Sequence, residues 1–363
     1  MSVGRVLYVD LARRETTVRP LPDDYRARFA GGAGIGTRLL WGASPAGVDP
    51  LGPDNALVFA VGAFAGTMVP ASGKFAVVTK SPLTGLIGDS LSSSGWPVAL
   101  RQAGYDAIVV TGQSARPTYL YIDDDNVHFR DAASVWGRGC VESQTLIRDA
   151  IGDARVAVAS IGPAGENLVR YACIGNDYGR QAGRTGTGAV MGSKRLKAIA
   201  VRGTRGVEVA NSDELRRIAM ALIQKAQGSG TEKYRTLGTA GNVLTLDRLA
   251  ALPTRNFQQS TFEDAELVSG ETLYSRNLRK VVACVGCPIA CDHYYKAVDG
   301  LYANSTASLD YETLYALGPL CGVSDVSAVL AAADLCDELG IDTMSAQRGS
   351  SHRVSAIHLH ALH

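Results

Sequence analysis

The sequence predicts an α+β protein in which a β-rich part precedes a mostly helical part, with the change near residue 205. Before this point, short runs of β-branched and aromatic residues recur between glycine-rich turns, which is the pattern of strands. After it, apolar residues recur at helical spacing. The predicted strands do not alternate strictly with helices, as a doubly wound sheet would require. We therefore expect a β-rich domain over residues 1–205 and a helical domain over residues 206–345.

Seven runs in the first part are predicted strands, and one stretch within it has helical spacing. The strands are Val6–Val9, Ala56–Val61, Phe75–Thr79, Ala107–Thr111, Thr118–Ile122, Val156–Ser160 and Ala198–Val201, and the helical stretch is Cys140–Ile151. The chain contains 40 glycines, many in pairs. Such glycines indicate backbone that turns with positive φ or approaches another group closely.

Three helices are predicted in the second part. Asn211, with Glu214 three residues later, is a plausible N-cap pair for a helix over Leu215–Ala226. Two more helices are predicted over Tyr311–Leu317 and Ser327–Leu339. The last of these is followed by Gly340, which is suited to a left-handed C′ position.

The charge balance and the cysteine content limit the class of protein. The 363 residues include 36 basic and 35 acidic side chains, which provide no field to gather nucleic acid or an anionic membrane. Residues 1–20 mix charged and apolar side chains, so we expect neither a secretory segment nor a membrane span there. Seven cysteines, three of them clustered, fit a reducing compartment and a cytoplasmic protein. The four dispersed cysteines, predicted to be small core residues, are Cys140, Cys173, Cys321 and Cys336.

The clustered cysteines Cys284, Cys287 and Cys291 have C-x2-C-x3-C spacing. Thiolates are the ligands of iron–sulfur clusters, and this spacing allows three of them to reach one cuboidal cluster. A fourth ligand must then come from elsewhere. Zinc bound by these three thiols and His293 is an alternative, although the spacing is unusual for zinc. A third interpretation is that these cysteines lie in a turn and bind no metal.

A glycine-rich run over residues 176–194 combines small residues with the positive charges of Arg180, Arg184 and Lys194. Exposed backbone amides in such turns form anion-binding nests, and arginine adds bidentate contacts to phosphate. The run therefore predicts an anion site. A tight turn between packed strands, with solvated arginines, is the alternative.

Several motifs together resemble the tungsten-containing aldehyde ferredoxin oxidoreductase family in order and in spacing. They are Val78–Gly85, Ala103–Ala107, Ile161–Asn167 and Gly183–Val201. Cys284–Cys291 falls where that family places three ligands of a four-iron four-sulfur cluster, and Asp337–Asp342 matches its first D-x-x-G pterin motif. The resemblance covers residues 1 to about 345.

The resemblance implies an enzyme that oxidises aldehydes to carboxylic acids and passes two electrons, one at a time, through the cluster to ferredoxin. In this family a tungsten, or less often a molybdenum, is held by the dithiolene sulfurs of two pterins, which a magnesium ion joins. The protein then acts through orientation and electrostatics. The resemblance also implies a pair of β-sheets as the base for the bis-pterin, followed by helical domains.

The resemblance assigns cofactor contacts to four residues of the first part. Arg180 and Gln181 match positions that approach the pterin phosphates and the magnesium, and Gly95 matches the opposite side of that cradle. Lys74 stands where relatives often have arginine between pterin and cluster. A lysine keeps the charge but loses the bidentate bridge, so we expect this departure to affect the redox potential.

In the helical part, Glu312 matches a carboxylate that the family places beside the metal. Burial would raise its pKa toward neutrality, which suits a general base or proton carrier. Taken without the resemblance, Glu312 is a surface or capping residue. Asp337, Gly340 and Asp342 match the pterin motif, and pterin ring nitrogens are suitable donors for the two carboxylates.

The chain also departs from the family pattern. The pattern stops after Thr343, and we expect residues 346–363, which hold four of the six histidines, to be an atypical disordered tail. The fourth cluster cysteine, the second pterin motif and a catalytic histidine of relatives are missing from the sequence. We therefore expect a homodimer or a second chain to supply the missing domain. The alternatives are an inactive fragment that keeps a β-domain phosphate or pterin site, and a superfamily member that reduces aromatic thioesters.

Overall fold

A computed structural model of the chain describes residues 4–177 and 179–350. The chain divides into two units by its internal contacts. The first unit comprises Met1–Leu222, Cys284–Gly286 and Asp337–Ile341, and the second comprises Ile223–Ala283, Cys287–Cys336 and Asp342–His363. Two short segments from the second half of the sequence thus belong to the first unit.

The first unit contains two six-stranded sheets. Their strands are β1 (Arg5–Asp10), β2 (Glu15–Pro20), β3 (Leu57–Val61), β4 (Lys74–Lys80), β5 (Ile87–Ser93), β6 (Ala107–Thr111), β7 (Thr118–Asp123), β8 (Asn126–Asp131), β9 (Ala157–Ser160), β10 (Ile174–Asn176), β11 (Arg180–Ala182) and β12 (Leu196–Arg202). The first sheet has the order β2-β1-β6-β3-β4-β5, and the second has the order β11-β10-β9-β12-β7-β8. β1 pairs with β6, and β12 with β7, in parallel, whereas the other neighbours are antiparallel.

The main core of this unit lies between the two sheets. Phe59 of β3 and Ile199 of β12 belong to one buried cluster together with Trp96, whose indole Nε1 donates to the Ile199 carbonyl at 2.9 Å. β3 is buried along its whole length, which explains why its five residues form a continuous apolar run rather than an alternating one. The apolar area removed from water between the sheets is the main stabilising term for this unit.

Helices pack against both sheets of the first unit and form most of the second unit. They are α1 (Asp23–Phe29), α2 (Gly32–Ala43), α3 (Trp96–Gln102), α4 (Cys140–Ile151), α5 (Pro163–Glu166), α6 (Thr187–Ser193), α7 (Ser212–Ala226), α8 (Glu232–Leu237), α9 (Asn242–Arg248), α10 (Gly270–Arg276), α11 (Tyr311–Leu317), α12 (Val326–Leu339) and α13 (Thr343–Ser350). In the first unit, α2 packs on β3 and β4, and α4 packs on β9. Short 3-10 helices lie at Ser229–Thr231, Thr239–Gly241 and Pro319–Cys321.

The second unit also contains a three-stranded sheet of β13 (Leu278–Val282), β14 (Asp292–Lys296) and β15 (Thr306–Ser308), in that order. β13 and β14 are antiparallel, and Val282 is the register partner of Asp292. Residues 283–291 therefore form the connection of a β-hairpin, and this connection carries all three clustered cysteines. The core of the unit is built from buried apolar residues that include Leu273, Tyr295 and Leu314.

The α+β fold class, with two β-sheets followed by a mostly helical part, is confirmed. All seven predicted strands are present, and the bounds predicted for α4 and α11 match those observed. The Asn211 side chain accepts from the Glu214 amide at 3.0 Å, and Gly340 has φ +70° after α12. No helix within residues 4–177 and 179–350 is long and apolar enough to span a bilayer.

Two expectations are modified. Cys140, Cys173 and Cys336 are buried core residues as predicted, but Cys321 is partly exposed. The predicted tail begins within α13, which extends to Ser350, and residues 351–363 lie outside the described residues.

Two lysines of the first unit are fully buried. The Lys197 ammonium pairs with Glu166 at 2.5 Å and donates to the Arg138 carbonyl at 2.8 Å. The Lys194 ammonium donates to the carbonyls of Pro53 and Gly112 at 3.0 and 3.3 Å and has no carboxylate within ion-pair distance among the described residues. Burial lowers the pKa of Lys194 to about 8, because the charged form loses its hydration.

This burial makes the stability of the first unit depend on pH. Between pH 8 and the unfolded-state pKa of 10.5, the unfolded chain binds more protons at Lys194 than the folded chain, so stability rises with pH. Relative to Lys194→Met, the wild type should gain about 2 kcal/mol in unfolding free energy from pH 7 to pH 10. Urea unfolding followed by tryptophan fluorescence measures this gain, because Trp41, Trp96 and Trp136 all lie in the first unit. The exposed Lys225→Met is the control, and an equal gain in both comparisons would contradict the prediction.

Candidate functional site

The hairpin of β10 and β11 places the predicted anion-binding residues at one edge of the second sheet. Gly175 pairs with Gln181, and Asn176 with Arg180, across this hairpin. Its turn needs unusual backbone, because Asp177 has φ +41° and Gly179 has φ +115°. The short, strained turn holds four polar side chains of residues 176–181 at one end of the sheet.

The segment before α3 lies against this turn. The Asp177 carboxylate accepts from the Gly95 amide at 2.6 Å, and the side chains of Ser92 and Asn176 are hydrogen-bonded at 3.1 to 3.2 Å. Asn176 is fully buried. These contacts bring Gly95 to the hairpin turn.

Arg180 reaches the first of the three cysteines. Its Nη1 donates to the Cys284 sulfur at 3.1 Å, and both residues belong to the first unit. The segment after Cys284 is held by backbone, since the Ala71 amide donates to the Gly286 carbonyl at 3.2 Å. Cysteine binds a metal as the thiolate, and a guanidinium is a charge-assisted hydrogen-bond donor to such a sulfur.

Lys74 lies at the start of β4, where it is the register partner of Ser93 in β5. Its ammonium donates to the Ser93 hydroxyl at 2.5 Å, and the residue is exposed. The lysine therefore supplies a positive charge with a single directed hydrogen bond, whereas an arginine could make two.

Gln181 reaches Asp337, the first residue of the D-x-x-G motif. Its Nε2 donates to Asp337 Oδ1 at 3.2 Å and to the Asp337 carbonyl at 3.3 Å, within the first unit. Its Oε1 is buried and has no hydrogen-bond partner among the described residues. A buried amide oxygen without a donor is costly, so this position fits a ligand that presents an N–H group.

The remainder of the D-x-x-G motif packs on the second sheet. The Gly340 carbonyl accepts from the Cys173 amide at 2.8 Å, and Ile341 forms an isolated β-bridge with Ala172. A Cβ at Gly340 would lie 3.0 Å from Cys140 Sγ and 3.0 Å from the Gly162 nitrogen. Gly340 is therefore required both by its φ of +70° and by close packing.

Cys140 lies beside this motif but is not suited to metal binding. It is fully buried, and burial raises the pKa of its thiol to about 12. The nearby Lys197 lowers this pKa and the carboxylates of Asp337 and Glu338 raise it, but desolvation dominates. The residue is therefore a neutral thiol at ordinary pH.

The other two cysteines, Cys287 and Cys291, belong to the second unit. His293, the alternative zinc ligand, is fully buried there; its Nδ1 lies 3.2 Å from the Cys291 carbonyl and its ring stacks on Tyr295. Nowhere in residues 4–177 and 179–350 do three His, Cys, Asp or Glu side chains lie close enough together to hold a metal ion.

The two remaining predicted residues have local roles in the second unit. Glu312 is exposed in the first turn of α11, where Asp310 is the N-cap and accepts from the Thr313 amide at 2.7 Å. Asp342 is buried and precedes α13, and its carboxylate accepts from the Ser345 amide at 3.1 Å and from the Ser345 hydroxyl. Asp342 thus caps a helix.

The structure brings together one group of predicted residues in the first unit. Arg180, Gln181 and Gly95 lie at the hairpin turn, with Cys284 and Asp337 bonded to it. Sequence reasoning did not single out Asp177, which holds Gly95. The available signal was its polar side chain directly after the buried strand β10.

Two family models match most of the chain. Residues 6–203 match the model described as "Aldehyde ferredoxin oxidoreductase, N-terminal domain", and residues 215–350 match "Aldehyde ferredoxin oxidoreductase, domains 2 & 3". The second match continues to residue 350, which corrects the expectation that the pattern stops after Thr343.

The chain is similar to tungsten-containing aldehyde ferredoxin oxidoreductases of Thermococcus kodakarensis and Pyrococcus furiosus, at 41% and 39% identity over 347 residues. Each alignment covers 94% of this chain and 56% of the relative. An aliphatic sulfonate oxidoreductase, WOR-like subunit, of Pyrococcus furiosus is 33% identical, over 93% of this chain and 57% of its own length. The chain thus spans just over half the length of these relatives.

Among solved structures, the chain is similar to the active site complex BamBC of benzoyl coenzyme A reductase in complex with 1,5-dienoyl-CoA. The TM-score is 0.84 at 28% identity, and the match covers 98% of this chain and 55% of that one. The arrangement of elements described above is therefore that of a known fold.

Gly340→Ala tests the packing of the D-x-x-G motif. We expect it to destabilise the first unit by about 2–5 kcal/mol, because left-handed backbone strain adds to overpacking. Gly152→Ala is the matched control, since Gly152 has φ +78° at the end of α4 but open space where its Cβ would lie. That control should cost only about 1–2 kcal/mol. Urea unfolding of both variants measures the difference, and equal costs would show that packing at Gly340 contributes nothing.

Proposed function

Because the chain belongs to the aldehyde ferredoxin oxidoreductase family, we propose that it forms the cofactor-binding part of an enzyme that oxidises aldehydes to carboxylic acids. In that reaction an aldehyde and water give a carboxylic acid, two protons and two electrons. The two electrons reduce two ferredoxin molecules, one at a time. A tungsten or molybdenum bis-pterin supplies this oxidation chemistry when it is bound.

The observation that carries the proposal is the convergence of Arg180, Gln181, Asp337 and Cys284 in the first unit. Arg180 provides positive charge for a pterin phosphate. The Gln181 Oε1, which is buried without a hydrogen-bond donor, and the Asp337 carboxylate are acceptors for ring N–H groups. These donors and acceptors match what a pterin with a phosphate tail presents, and Gly95 with Asp177 closes the other side, where we propose that magnesium joins the pterins.

We assign three ligands of a four-iron four-sulfur cluster to Cys284, Cys287 and Cys291. Their short spacing on one hairpin connection supports this assignment. Arg180 adjoins the first ligand at 3.1 Å, so one guanidinium serves both the pterin side and the cluster side. A fourth ligand comes from outside this set. The cysteines of the described residues form no disulfide, which agrees with the reducing cytoplasm that we propose as the location.

We assign the role of general base or proton carrier to Glu312. The Asp310 cap fixes the first turn of α11 on which Glu312 stands. Because Glu312 is exposed in this chain, the proposal requires that another segment, a second copy or a second chain cover it. Asp342 is proposed as a second pterin contact, in addition to its role as a helix cap.

Similarity favours aldehydes over the alternative substrates. The aldehyde oxidoreductases are 39–41% identical to the chain, whereas the sulfonate oxidoreductase is 33% and the benzoyl coenzyme A reductase is 28% identical. Reduction of an aromatic thioester is the second candidate, which the high structural similarity to the latter enzyme supports.

Elemental analysis after anaerobic purification tests the cofactor assignment, and Cys287→Ser sharpens it. The wild type should contain iron together with tungsten or molybdenum in near-stoichiometric amounts. Cys287→Ser should lose most of its iron and its cluster absorbance, because a hydroxyl is a poor ligand for the cluster. Tryptophan fluorescence should show the first unit still folded.

Cys321→Ser is the matched control, since Cys321 is also partly exposed but lies outside the hairpin connection. It should keep its iron. A full cluster in Cys287→Ser would refute the ligand assignment, and zinc or no metal in the wild type would support the inactive-fragment reading.

Glu312→Gln tests the proton-transfer role in the assembled enzyme. The amide keeps the size of the side chain but cannot take up a proton, so we expect turnover to fall about 100-fold to 10,000-fold. Metal content should be unchanged. Aldehyde oxidation by a viologen dye assay measures turnover, and unchanged turnover would remove Glu312 from the catalytic group.

A further inference from the structure

We propose that the exposed edge strand β13 is the docking surface for an acidic iron–sulfur electron carrier of the ferredoxin class. This inference rests on the proposed function, in which ferredoxin accepts the electrons. It adds the place at which the partner binds and the side chains that select it. Arg279, Lys280 and Val281 are the residues that carry it.

The three residues lie in sequence on the outer strand of the three-stranded sheet. β13 pairs with β14 on one side only, so its other edge has no strand partner within the described residues. Arg279, Lys280 and Val281 are all exposed, and Val281 keeps 45% of its surface open to solvent. Two cations and an exposed aliphatic side chain thus follow one another along the free edge of the sheet, where they offer charge and an apolar point of contact.

Positive charge is concentrated in this region, although the whole chain is nearly neutral. Residues 276–296 contain four basic side chains and one acidic one, which gives +3, whereas the entire chain has a net charge of +1. Arg276 is already paired with Asp299 at 3.3 Å. Arg279 and Lys280 form no ion pair with any described residue, and the Lys280 ammonium lies 5.1 Å from the centre of the Tyr294 ring. Their charges are therefore available to a partner.

β13 directly precedes the connection that carries the clustered cysteines. β13 ends at Val282, and the connection that follows carries Cys287 and Cys291 before β14 begins at Asp292. A partner that takes electrons from a cluster on this connection must approach it closely. Complementary charge on the adjoining strand would raise the rate of encounter and fix the orientation.

A simpler interpretation of a lysine on an edge strand is that its charge prevents unwanted pairing between sheets. Charge reversal separates the two readings. A glutamate on the edge strand prevents pairing with another sheet as well as a lysine does, but it repels an acidic partner.

The experiment compares Arg279→Glu/Lys280→Glu with the wild type in binding to a purified acidic four-iron four-sulfur ferredoxin, by calorimetry at low and at moderate salt. Arg116→Glu/Arg216→Glu is the matched control, because it makes the same charge change at two exposed arginines that belong to the first unit and not to the hairpin. A basic electron carrier of similar size is the control partner. Iron content and dye-linked aldehyde oxidation are measured on every variant.

We expect the double reversal on β13 to weaken ferredoxin binding at least tenfold at low salt, and to reduce the salt dependence of binding. The control reversal should change binding less than about threefold, and iron content and dye-linked turnover should match the wild type. Equal ferredoxin binding by the two double variants, or loss of iron from the β13 variant, would overturn the proposal. Because binding is measured directly, absence of metal or of dye-linked turnover in the wild type would count against the proposed function alone.

Discussion

The hydrogen bonds between Gln181 and Asp337 join two parts of the first unit that are 156 residues apart in sequence. Both acceptors belong to the same residue, so one amide group fixes the position and the orientation of the segment 337–341. Backbone contacts extend this fixation, since Gly340 accepts from the Cys173 amide. The candidate pterin site depends on this arrangement, because it places an acidic side chain from the end of α12 beside the glycine-rich hairpin. Removal of the Gln181 amide would break both of these hydrogen bonds.

The central strands could be predicted from sequence, because they are buried on both faces and form continuous apolar runs. β5 could not, and the reason is physical. Its exposed positions Ile87 and Leu91 are apolar, whereas the buried Ser90 and Ser92 are polar and bond to Gly183 and Asn176. Alternation would therefore assign the wrong face to the interior. Strands as short as β10 and β11 offer no periodicity at all, since each has three residues.

The candidate site was only partly predictable for a similar reason. A motif such as D-x-x-G specifies a turn, and the φ of Gly340 agrees with it, but the partner of Asp337 depends on contacts distant in sequence. The bond from Asp177 to Gly95 is another such contact. Local rules do, however, explain Asp342 and Asp310, which cap α13 and α11. The resemblance to a family supplied the remaining residues, and physical rules alone would have left Glu312 as an ordinary surface residue.

The distribution of charge follows from what each region has to hold. Lys197 and Glu166 are buried together, so their charges cancel and serve the fold alone. Arg180 is only partly buried and donates to the sulfur of Cys284, which we propose as a cluster ligand, so its positive charge lies beside the proposed cofactor site. On the surface, a chain with a net charge of +1 cannot attract an acidic partner over its whole area. Selection of such a partner therefore requires a local excess of positive charge, and the hairpin that carries the clustered cysteines supplies one.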